Sequence, residues 1–346
     1  MLRINVPRDF PSVSDHPPTR CQPGGDHPSR RFLQDFTVEG TLQRTIFGSV
    51  VLARHRHGHL RAVKVVNRRM ASQYRSIRTG SLVSESAEAE VRLLRLLRDV
   101  HPHRNLLALA PQDEQYEEAG ASYVTLPYAE RGDLFSHVER QAGGRSDNPE
   151  QFLSRCRRVF AQLCLGLHHL HTVVGVAHND LSLENALVFD DRITICDYGL
   201  ALEIGKPWPP TRRSSGKLPY QAPEIFHGRQ RVCTAKADVF SLGVLLFIAV
   251  FGTPPFKHPD RHADKRYAYI QDGRLGELLG LWGESHLAPA PLVELIASML
   301  REDPAIRVSL DDVMRHQWTR EPPSVKAVKR GSDGNQCAPA KPRTGA

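Results

Sequence analysis

One stretch decides the fold: His178-Asn179-Asp180-Leu181-Ser182-Leu183-Glu184-Asn185, followed shortly by Ile193-Thr194-Ile195-Cys196-Asp197-Tyr198-Gly199. The second run starts apolar and β-branched, which predicts a strand that ends near Asp197. Asn185 and Asp197 can supply the hard oxygen ligands that Mg²⁺ prefers, together with phosphate oxygens and water. Asp180 then remains as a base for a hydroxyl group. A lone aspartate is more often a helix cap or a solvated loop residue, so the ordered set carries the prediction.

The chain around this stretch changes character partway. Residues 36–69 alternate apolar and polar positions and are rich in β-branched side chains, which predicts antiparallel strands. Residues 84–99 carry an apolar stripe at helical spacing, and residues 123–128 return to a strand pattern. From about residue 133 helices dominate, most clearly at 150–171, 235–252 and 290–301. The pattern predicts an α+β chain with a sheet-rich first lobe and a larger helical second lobe.

The motifs, taken in order, resemble those of eukaryotic-type protein kinases from about residue 33 to 318. The signature set of that family is a Gly-rich loop, a strand lysine, a helix glutamate, a catalytic loop, a metal motif and the end of the activation segment. The residues that carry the resemblance are Ala62-Val63-Lys64, Glu90-Val91-Arg92-Leu93-Leu94, His178 to Asn185, Asp197-Tyr198-Gly199, Ala222-Pro223-Glu224, Asp238 and Arg307. The last two resemble a structural aspartate and the buried arginine that pairs with Glu224.

The resemblance implies the two-lobed protein-kinase fold. A small antiparallel sheet lobe with one helix is followed by a larger, mainly α-helical lobe. Both ends of the chain are rich in proline and poor in apolar residues, which predicts disordered tails. The expected boundaries are a Pro-rich tail over 1–32, a kinase domain over 33–318 and a basic tail over 319–346, with the N-lobe at about 33–126, the hinge at 127–132 and the C-lobe at 133–318.

The resemblance also implies roles in phosphoryl transfer from Mg-ATP, which depends mainly on positioning and charge neutralisation. Lys64 would contact the α- and β-phosphates and be held by Glu90. Glu88, on the same predicted helix, remains an alternative partner. Asn185 and Asp197 would hold Mg²⁺.

The same resemblance predicts a nucleotide pocket at the hinge Leu126-Pro127-Tyr128-Ala129. Leu126 resembles the gatekeeper residue. Pro127 has no N–H, but its position needs only the carbonyl, and Ala129 keeps its amide. Asp133 falls at the acidic ribose contact. The remaining residues predicted to line the pocket or to approach the phosphates are Gly48, Val50, Ala62 and Leu187.

Two motifs depart from the family pattern. The Gly-rich loop is Gln43-Arg44-Thr45-Ile46-Phe47-Gly48 and keeps only its last glycine, so backbone amides approach phosphates less easily and we expect weak ATP affinity. Arg44 either compensates with its charge or is simply solvated. Asn179 replaces the arginine that normally receives the activation-loop phosphate. We therefore expect activity that does not depend strongly on phosphorylation of Thr211, Ser214 or Ser215.

Two further departures concern positive charge. Ser182 stands where Ser/Thr kinases have a lysine that neutralises the γ-phosphate, and Lys217 stands where they usually have a threonine. In the family fold these positions are neighbours beside the catalytic Asp180. We expect Lys217 to replace the missing lysine, since a cation near the transferred phosphate is a strong electrostatic contribution. The alternative is that Ser182 is a degenerate site and Lys217 a surface loop residue.

These features predict an ATP-dependent kinase that transfers phosphate to Ser or Thr of protein substrates, with Asp180 at the hydroxyl. Asp133 and Glu184 resemble acidic positions that read basic residues on the N-terminal side of the target Ser or Thr in a substrate. The alternative is that both are solvated carboxylates. The run 133–137 is similar to the calcium/calmodulin-dependent-like group, although the sequence has no EF-hand loop. The lost glycines and Ser182 favour the alternative function, a pseudokinase that acts as a scaffold or allosteric regulator.

Composition narrows the choice of partners and location. The 346 residues carry a net charge of +8, but residues 1–31 hold +2 and residues 319–346 hold +4, so we expect no nucleic-acid partner for the core. The six cysteines include no CxxC pair, which argues against a zinc site. A disulfide framework is not expected in a chain of this size, which favours a reducing compartment. We expect no secretory signal, and a buried helix at 239–252 that is too short to span a bilayer. The predicted location is the cytoplasm, with the nucleus as the alternative, and the sequence does not indicate an oligomeric state.

Overall fold

A five-stranded antiparallel sheet forms the first lobe, as the alternation over residues 36–69 predicts. The computed structural model describes residues 32–110, 115–118, 120–140, 148–208, 216–228 and 232–320. The strands of the sheet are β1 (Phe36–Arg44), β2 (Gly48–His55), β3 (Leu60–Asn67), β4 (Gln115–Glu118) and β5 (Ala121–Pro127). Their order is β1-β2-β3-β5-β4. Lys64 pairs with Val50 on one side and Val124 on the other, so it lies in the middle of the sheet.

The helix predicted in this lobe runs from Ala87 to Asp99 as α3, after two short helices, α1 (Phe32–Asp35) and α2 (Arg68–Ser72). The helix begins where Oγ of Ser86 accepts a hydrogen bond from the amide of Ala89 at 3.2 Å, which is an N-cap. Its buried residues are Glu90, Leu93, Leu94 and Leu97. Because these positions share one face, the glutamate is carried inward with the leucines.

Phe32 corrects the predicted start of the domain. The sequence places it in the first tail, but it is fully buried in α1. Its ring stacks on Phe36 at 5.1 Å and on Tyr123 at 4.4 Å, so it belongs to the aromatic cluster on one face of the sheet. At the other end α12 (Gln317–Arg320) extends two residues past the predicted boundary. The rest of both predicted tails lies outside the described residues.

Helices form most of the second lobe. They are α4 (Leu134–Arg140), α5 (Pro149–His169), α6 (Pro223–Phe226), α7 (Thr234–Phe251), α8 (Lys265–Gln271), α9 (Leu275–Leu281), α10 (Ala290–Met299) and α11 (Leu310–Arg315), with α12 last. Four short strands join them: β6 (Val176–Ala177), β7 (Ala186–Phe189), β8 (Arg192–Ile195) and β9 (Leu202–Glu203). The predicted helices at 150–171, 235–252 and 290–301 are confirmed as α5, α7 and α10.

The apolar helix α7 lies in the core of the second lobe, as predicted. It is 18 residues long because it begins at Thr234, earlier than the apolar run, so the expectation that it is too short for a bilayer is wrong. By length and composition alone it is the one helix among the described residues that could cross a membrane. About 89% of it is buried inside the fold, which is the environment of a core helix.

Candidate functional site

Lys64 makes the ion pair that the sequence predicts. Its Nζ lies 2.6 and 2.8 Å from the carboxylate oxygens of Glu90 and 3.2 Å from Oδ1 of Asp197. Glu88 is exposed and pairs with Arg92 instead. Burial by itself would lower the pKa of Lys64, but the charges of Asp197 and Glu90 outweigh it and raise that pKa well above its ordinary value. Lys64 therefore holds a positive charge deep between the lobes.

Asp197 follows β8 by two residues and has a left-handed backbone, with φ of +66°. Such a conformation is uncommon outside glycine, and aspartate tolerates it better than most residues. Burial would raise the pKa of its carboxyl, but Lys64 beside it holds the pKa below its ordinary value. The site therefore presents an ionised carboxylate at the end of a strand, as the sequence predicts.

A buried carboxylate anchors the catalytic loop 178–185. Asp238, in α7, accepts hydrogen bonds from the backbone N–H groups of His178 and Asn179, both at 2.7 Å, and from Nε2 of His171 at 2.8 Å. Asp238 is fully buried, and these donors balance its charge. The central helix of the second lobe thus fixes where the loop begins.

His178 has a structural role in the catalytic loop. Its Nδ1 accepts a hydrogen bond from the amide of Asp180 at 3.2 Å, which leaves Nε2 protonated to donate to the carbonyl of Cys196 at 3.0 Å. The ring is fully buried. It therefore connects the catalytic loop to the strand end that carries Asp197.

Asn179 occupies the position of the family's arginine and makes a different contact. Its backbone is left-handed, with φ of +63°, and its Nδ2 donates to the carbonyls of Ala177 at 3.3 Å and Leu200 at 3.2 Å. The amide thereby ties the catalytic loop to the residue that follows Gly199. Thr211, Ser214 and Ser215 lie outside the described residues, so independence from their phosphorylation stays a prediction.

Asp180 and Asn185 face each other across the catalytic loop. Nδ2 of Asn185 donates to the carbonyl oxygen of Asp180 at 2.8 Å and to its Oδ2 at 2.9 Å. Burial raises the pKa of Asp180, and the charge of Lys217 opposes that shift. The other carboxylate oxygen, Oδ1, accepts the backbone N–H of Lys217 at 3.0 Å. Asp180 is therefore held on both sides.

The structure brings Lys217 and Ser182 together. Nζ of Lys217 donates to Oγ of Ser182 at 2.7 Å and to Oδ1 of Asn185 at 3.0 Å. Gly216 permits this approach, because its φ is +89° and a Cβ there would lie 3.1 Å from Oδ1 of Asp180. The lysine side chain is thus directed into the catalytic loop, and its role in the reaction stays a prediction.

A cavity of about 380 Å³ lies between the sheet and the catalytic loop. At one end its walls are the apolar side chains of Val50, Ala62, Leu126 and Leu187, with the hinge residues Pro127 and Ala129, and at the other end they are Lys64, Glu90, Asn185 and Asp197. Asp133 lines the cavity, but its Oδ1 accepts the amide of Ser136 at 2.7 Å and so caps α4. The cavity suits a flat apolar ring joined to an anionic chain.

Gly48 lies outside this lining, contrary to its predicted place at the phosphates. A Cβ on it would overlap the carbonyl oxygen of Val65, so close packing of β2 against β3 requires the glycine. Arg44 is exposed and also lies outside the lining. Thr45 does line the cavity, and its buried Oγ1 has no hydrogen-bond partner among the described residues. Thr45 was not predicted from the glycine pattern.

Glu85 is a second residue that the motifs do not mark. A Cβ built at Gly199 would lie 3.4 Å from its Cγ, and the next residue, Ser86, donates its amide to the carbonyl of Gly199 at 2.9 Å. Burial raises the pKa of Glu85 to about 8, and the charge of Asp197 adds to the shift. The only signal in the sequence is an acidic residue directly before the N-cap of α3.

The buried pair of Arg307 and Glu224 lies outside the cleft and supports it. The guanidinium contacts both carboxylate oxygens, at 2.8 and 2.9 Å, and both side chains are almost fully buried. The arginine also donates to backbone carbonyls, one of them that of Lys236 in α7. This arrangement joins the end of the activation segment to the helical core.

Comparisons with known proteins agree with this geometry. Residues 36–319 match the family model described as protein kinase domain. Over 301 residues the chain is 31% identical to the serine/threonine protein kinase OSK3 of Oryza sativa subsp. japonica, covering 85% of this chain and 52% of the rice protein. Over 286 residues it is 29% identical to the SNF-related serine/threonine-protein kinase of Homo sapiens, covering 82% of this chain and 33% of the human protein.

The serine/threonine-protein kinase CHK1 of Saccharomyces cerevisiae is 29% identical over 217 residues, which are 61% of this chain and 38% of the yeast protein. The chain thus spans about half the length, or less, of the curated relatives it matches. The family model covers most of the chain, and the ion pairs and loop contacts described above fall on the residues of its motifs. On these grounds the chain belongs to the protein kinase family.

Proposed function

We propose that the protein is a serine/threonine protein kinase that transfers the γ-phosphate of Mg-ATP to protein substrates. The observation that carries the proposal is the contact of Lys64 with both Glu90 and Asp197, beside a catalytic loop that holds Asp180. The names of the rice, human and yeast relatives support Ser/Thr specificity. None of these findings favours the pseudokinase alternative.

The residues of the cavity fit a nucleotide and a divalent cation. The apolar walls suit adenine, and Lys64 lies where negative phosphates need a positive charge. Among the described residues no three His, Cys, Asp or Glu side chains form a ready-made metal cluster, so a cation at Asp197 would take its remaining ligands from phosphate oxygens and water. When bound, Mg-ATP supplies the phosphoryl group and neutralises charge on its oxygens.

Asp180 is the residue that would hold the substrate hydroxyl. Its carboxylate is half-buried, and its raised pKa makes it a better proton acceptor than an ordinary aspartate. The hydrogen bonds from Asn185 and from the amide of Lys217 keep that carboxylate in one orientation. The chain thereby positions the base before a substrate arrives.

The finer properties are part of the proposal. Asp133 and Glu184 support a preference for basic residues upstream of the target, since both are partly exposed acidic residues at the cavity. Membership of the calcium/calmodulin-dependent-like group rests on the run 133–137. The cytoplasmic location is supported by the four described cysteines, which are all free thiols.

A transfer assay tests the proposal. Radiolabelled ATP and a mixed peptide library should give label on Ser or Thr with the wild type and with Asp191→Ala, an exposed aspartate. Asp197→Ala should reduce the rate at least about 100-fold, because it removes the carboxylate that would hold the cation that neutralises the transferring group. Label on Tyr would contradict the specificity. Nucleotide binding without any transfer would favour the pseudokinase.

A further inference from the structure

The amide oxygen of Asn185 already accepts a hydrogen bond from the side-chain ammonium of Lys217. Nδ2 of Asn185 makes two hydrogen bonds to oxygens of Asp180, at 2.8 and 2.9 Å. Both acceptors are oxygens, so the amide nitrogen must lie on that side and Oδ1 on the other. Oδ1 is 3.0 Å from Nζ of Lys217. Protein kinases use this amide oxygen for one of two Mg²⁺ ions, while the metal-motif aspartate serves both.

The surroundings of the Lys217 ammonium form an oxygen cage. Nζ lies 2.7 Å from Oγ of Ser182, 3.0 Å from Oδ1 of Asn185 and 3.7 Å from Oε2 of Glu184. Ser182 and Asn185 are buried and accept hydrogen bonds from the ammonium, while Glu184 forms an ion pair with it. The loop thus supplies a place for one positive charge, and Lys217 fills it.

The position of this ammonium is built into the backbone. The amide of Lys217 donates to Oδ1 of Asp180 at 3.0 Å, and Gly216 allows the chain to pass close to that carboxylate. The small side chain of Ser182 leaves the space into which Nζ extends. A lysine at position 182, as in the family pattern, would compete with Lys217 for the same acceptors.

We infer that the Lys217 ammonium replaces the second Mg²⁺ at Asn185, so that this kinase binds its nucleotide with a single divalent cation, at Asp197. The inference rests on the proposed function. A second Mg²⁺ at Oδ1 would lie within a few ångströms of the ammonium, and the two positive charges would repel each other in this partly buried site. Mg²⁺ also demands near-octahedral ligation, which the occupied amide oxygen does not offer.

Counting bound metal ions tests this without relying on activity. The 346-residue chain is saturated with β,γ-imido-ATP and titrated with Mn²⁺ to millimolar free concentration, and bound Mn²⁺ is measured by electron paramagnetic resonance. We expect one Mn²⁺ per chain for the wild type and two for Lys217→Met, which removes the charge and keeps the length. Lys257→Met removes an exposed lysine and should leave the count at one.

The possible outcomes separate the two proposals. Two Mn²⁺ ions in the wild type, or one in a folded Lys217→Met, overturns the inference and leaves the proposed kinase function intact. Lys217→Gln provides a second neutral variant with the same expected count of two, and the wild-type count decides if neither variant folds. A wild type that binds neither nucleotide nor Mn²⁺ refutes the proposed function, and the inference fails with it.

Discussion

Replacing Glu85 by glutamine should make the stability of this protein less sensitive to pH. Burial raises the pKa of Glu85 to about 8 from an ordinary value of 4.5, and the charge of Asp197 contributes while Lys64 opposes. Between these two values the folded chain keeps a proton that the unfolded chain has lost. Glutamine has the shape of the protonated carboxyl group and does not titrate, so Glu85→Gln removes this difference.

The sign and size follow from the linkage between proton binding and folding. Well below pH 4.5 Glu85 is protonated in both the folded and the unfolded state, so its titration does not change the free energy of unfolding. That free energy then falls as the pH rises and levels off above pH 8, after a total loss of at most about 4.8 kcal/mol. Between pH 6 and pH 8.5 the calculated loss is about 2.5 kcal/mol, and relaxation around the ionised group reduces the expected value to about 1–2.5 kcal/mol.

Urea unfolding at pH 6 and pH 8.5, in EDTA and without nucleotide, measures this loss. The wild type should lose about 1–2.5 kcal/mol more than Glu85→Gln over that interval. Glu88→Gln is the matched control, because Glu88 lies three residues away with its side chain 81% exposed, and it should behave as the wild type. Equal losses in the wild type and Glu85→Gln would refute the argument that Glu85 is held protonated in the fold.

Three other substitutions test separate contacts. Thr45→Val should weaken binding of β,γ-imido-ATP about 5–10-fold, measured by calorimetry, because it removes an unpartnered hydroxyl from the cavity; unchanged affinity would exclude a contact with the nucleotide. Asn179→Ala should lower the free energy of unfolding by about 1–2 kcal/mol, since it removes two hydrogen bonds, and urea unfolding checks it. Glu224→Gln should cost about 3–5 kcal/mol in the same assay, because it leaves the buried Arg307 unpaired, whereas Glu277→Gln at an exposed pair should change little.

Periodicity alone predicts much of the fold. The helices α3, α5, α7 and α10 and the first three strands follow from the spacing of apolar residues. The order of the strands does not follow from spacing, because each strand pattern is compatible with several neighbours. The choice between Glu88 and Glu90 could have been sharper, since only Glu90 shares a helix face with Leu93, Leu94 and Leu97.

Contacts between distant segments explain what the sequence does not reveal. Phe32 looks like the end of a tail, and only the rings of Phe36 and Tyr123 make it part of the core. Thr45 stands at a glycine position of the Gly-rich loop, so the sequence shows only that a glycine is missing there. Glu85 has no motif, and its raised pKa arises from burial beside Asp197, more than a hundred positions along the chain. Local patterns hold no information on such neighbours.

The departures from the kinase pattern are connected through one loop. Asn179 replaces an arginine that would need an activation-loop phosphate, and its amide bonds directly to Leu200. Lys217 donates hydrogen bonds to Ser182 and Asn185 in the catalytic loop and, by our inference, takes the place of a metal ion. In both cases the contact is made within the chain itself. A loop that is complete in this way would need neither phosphorylation nor excess Mg²⁺ to reach its working geometry, so the lost glycines become the main reason to expect weak ATP binding.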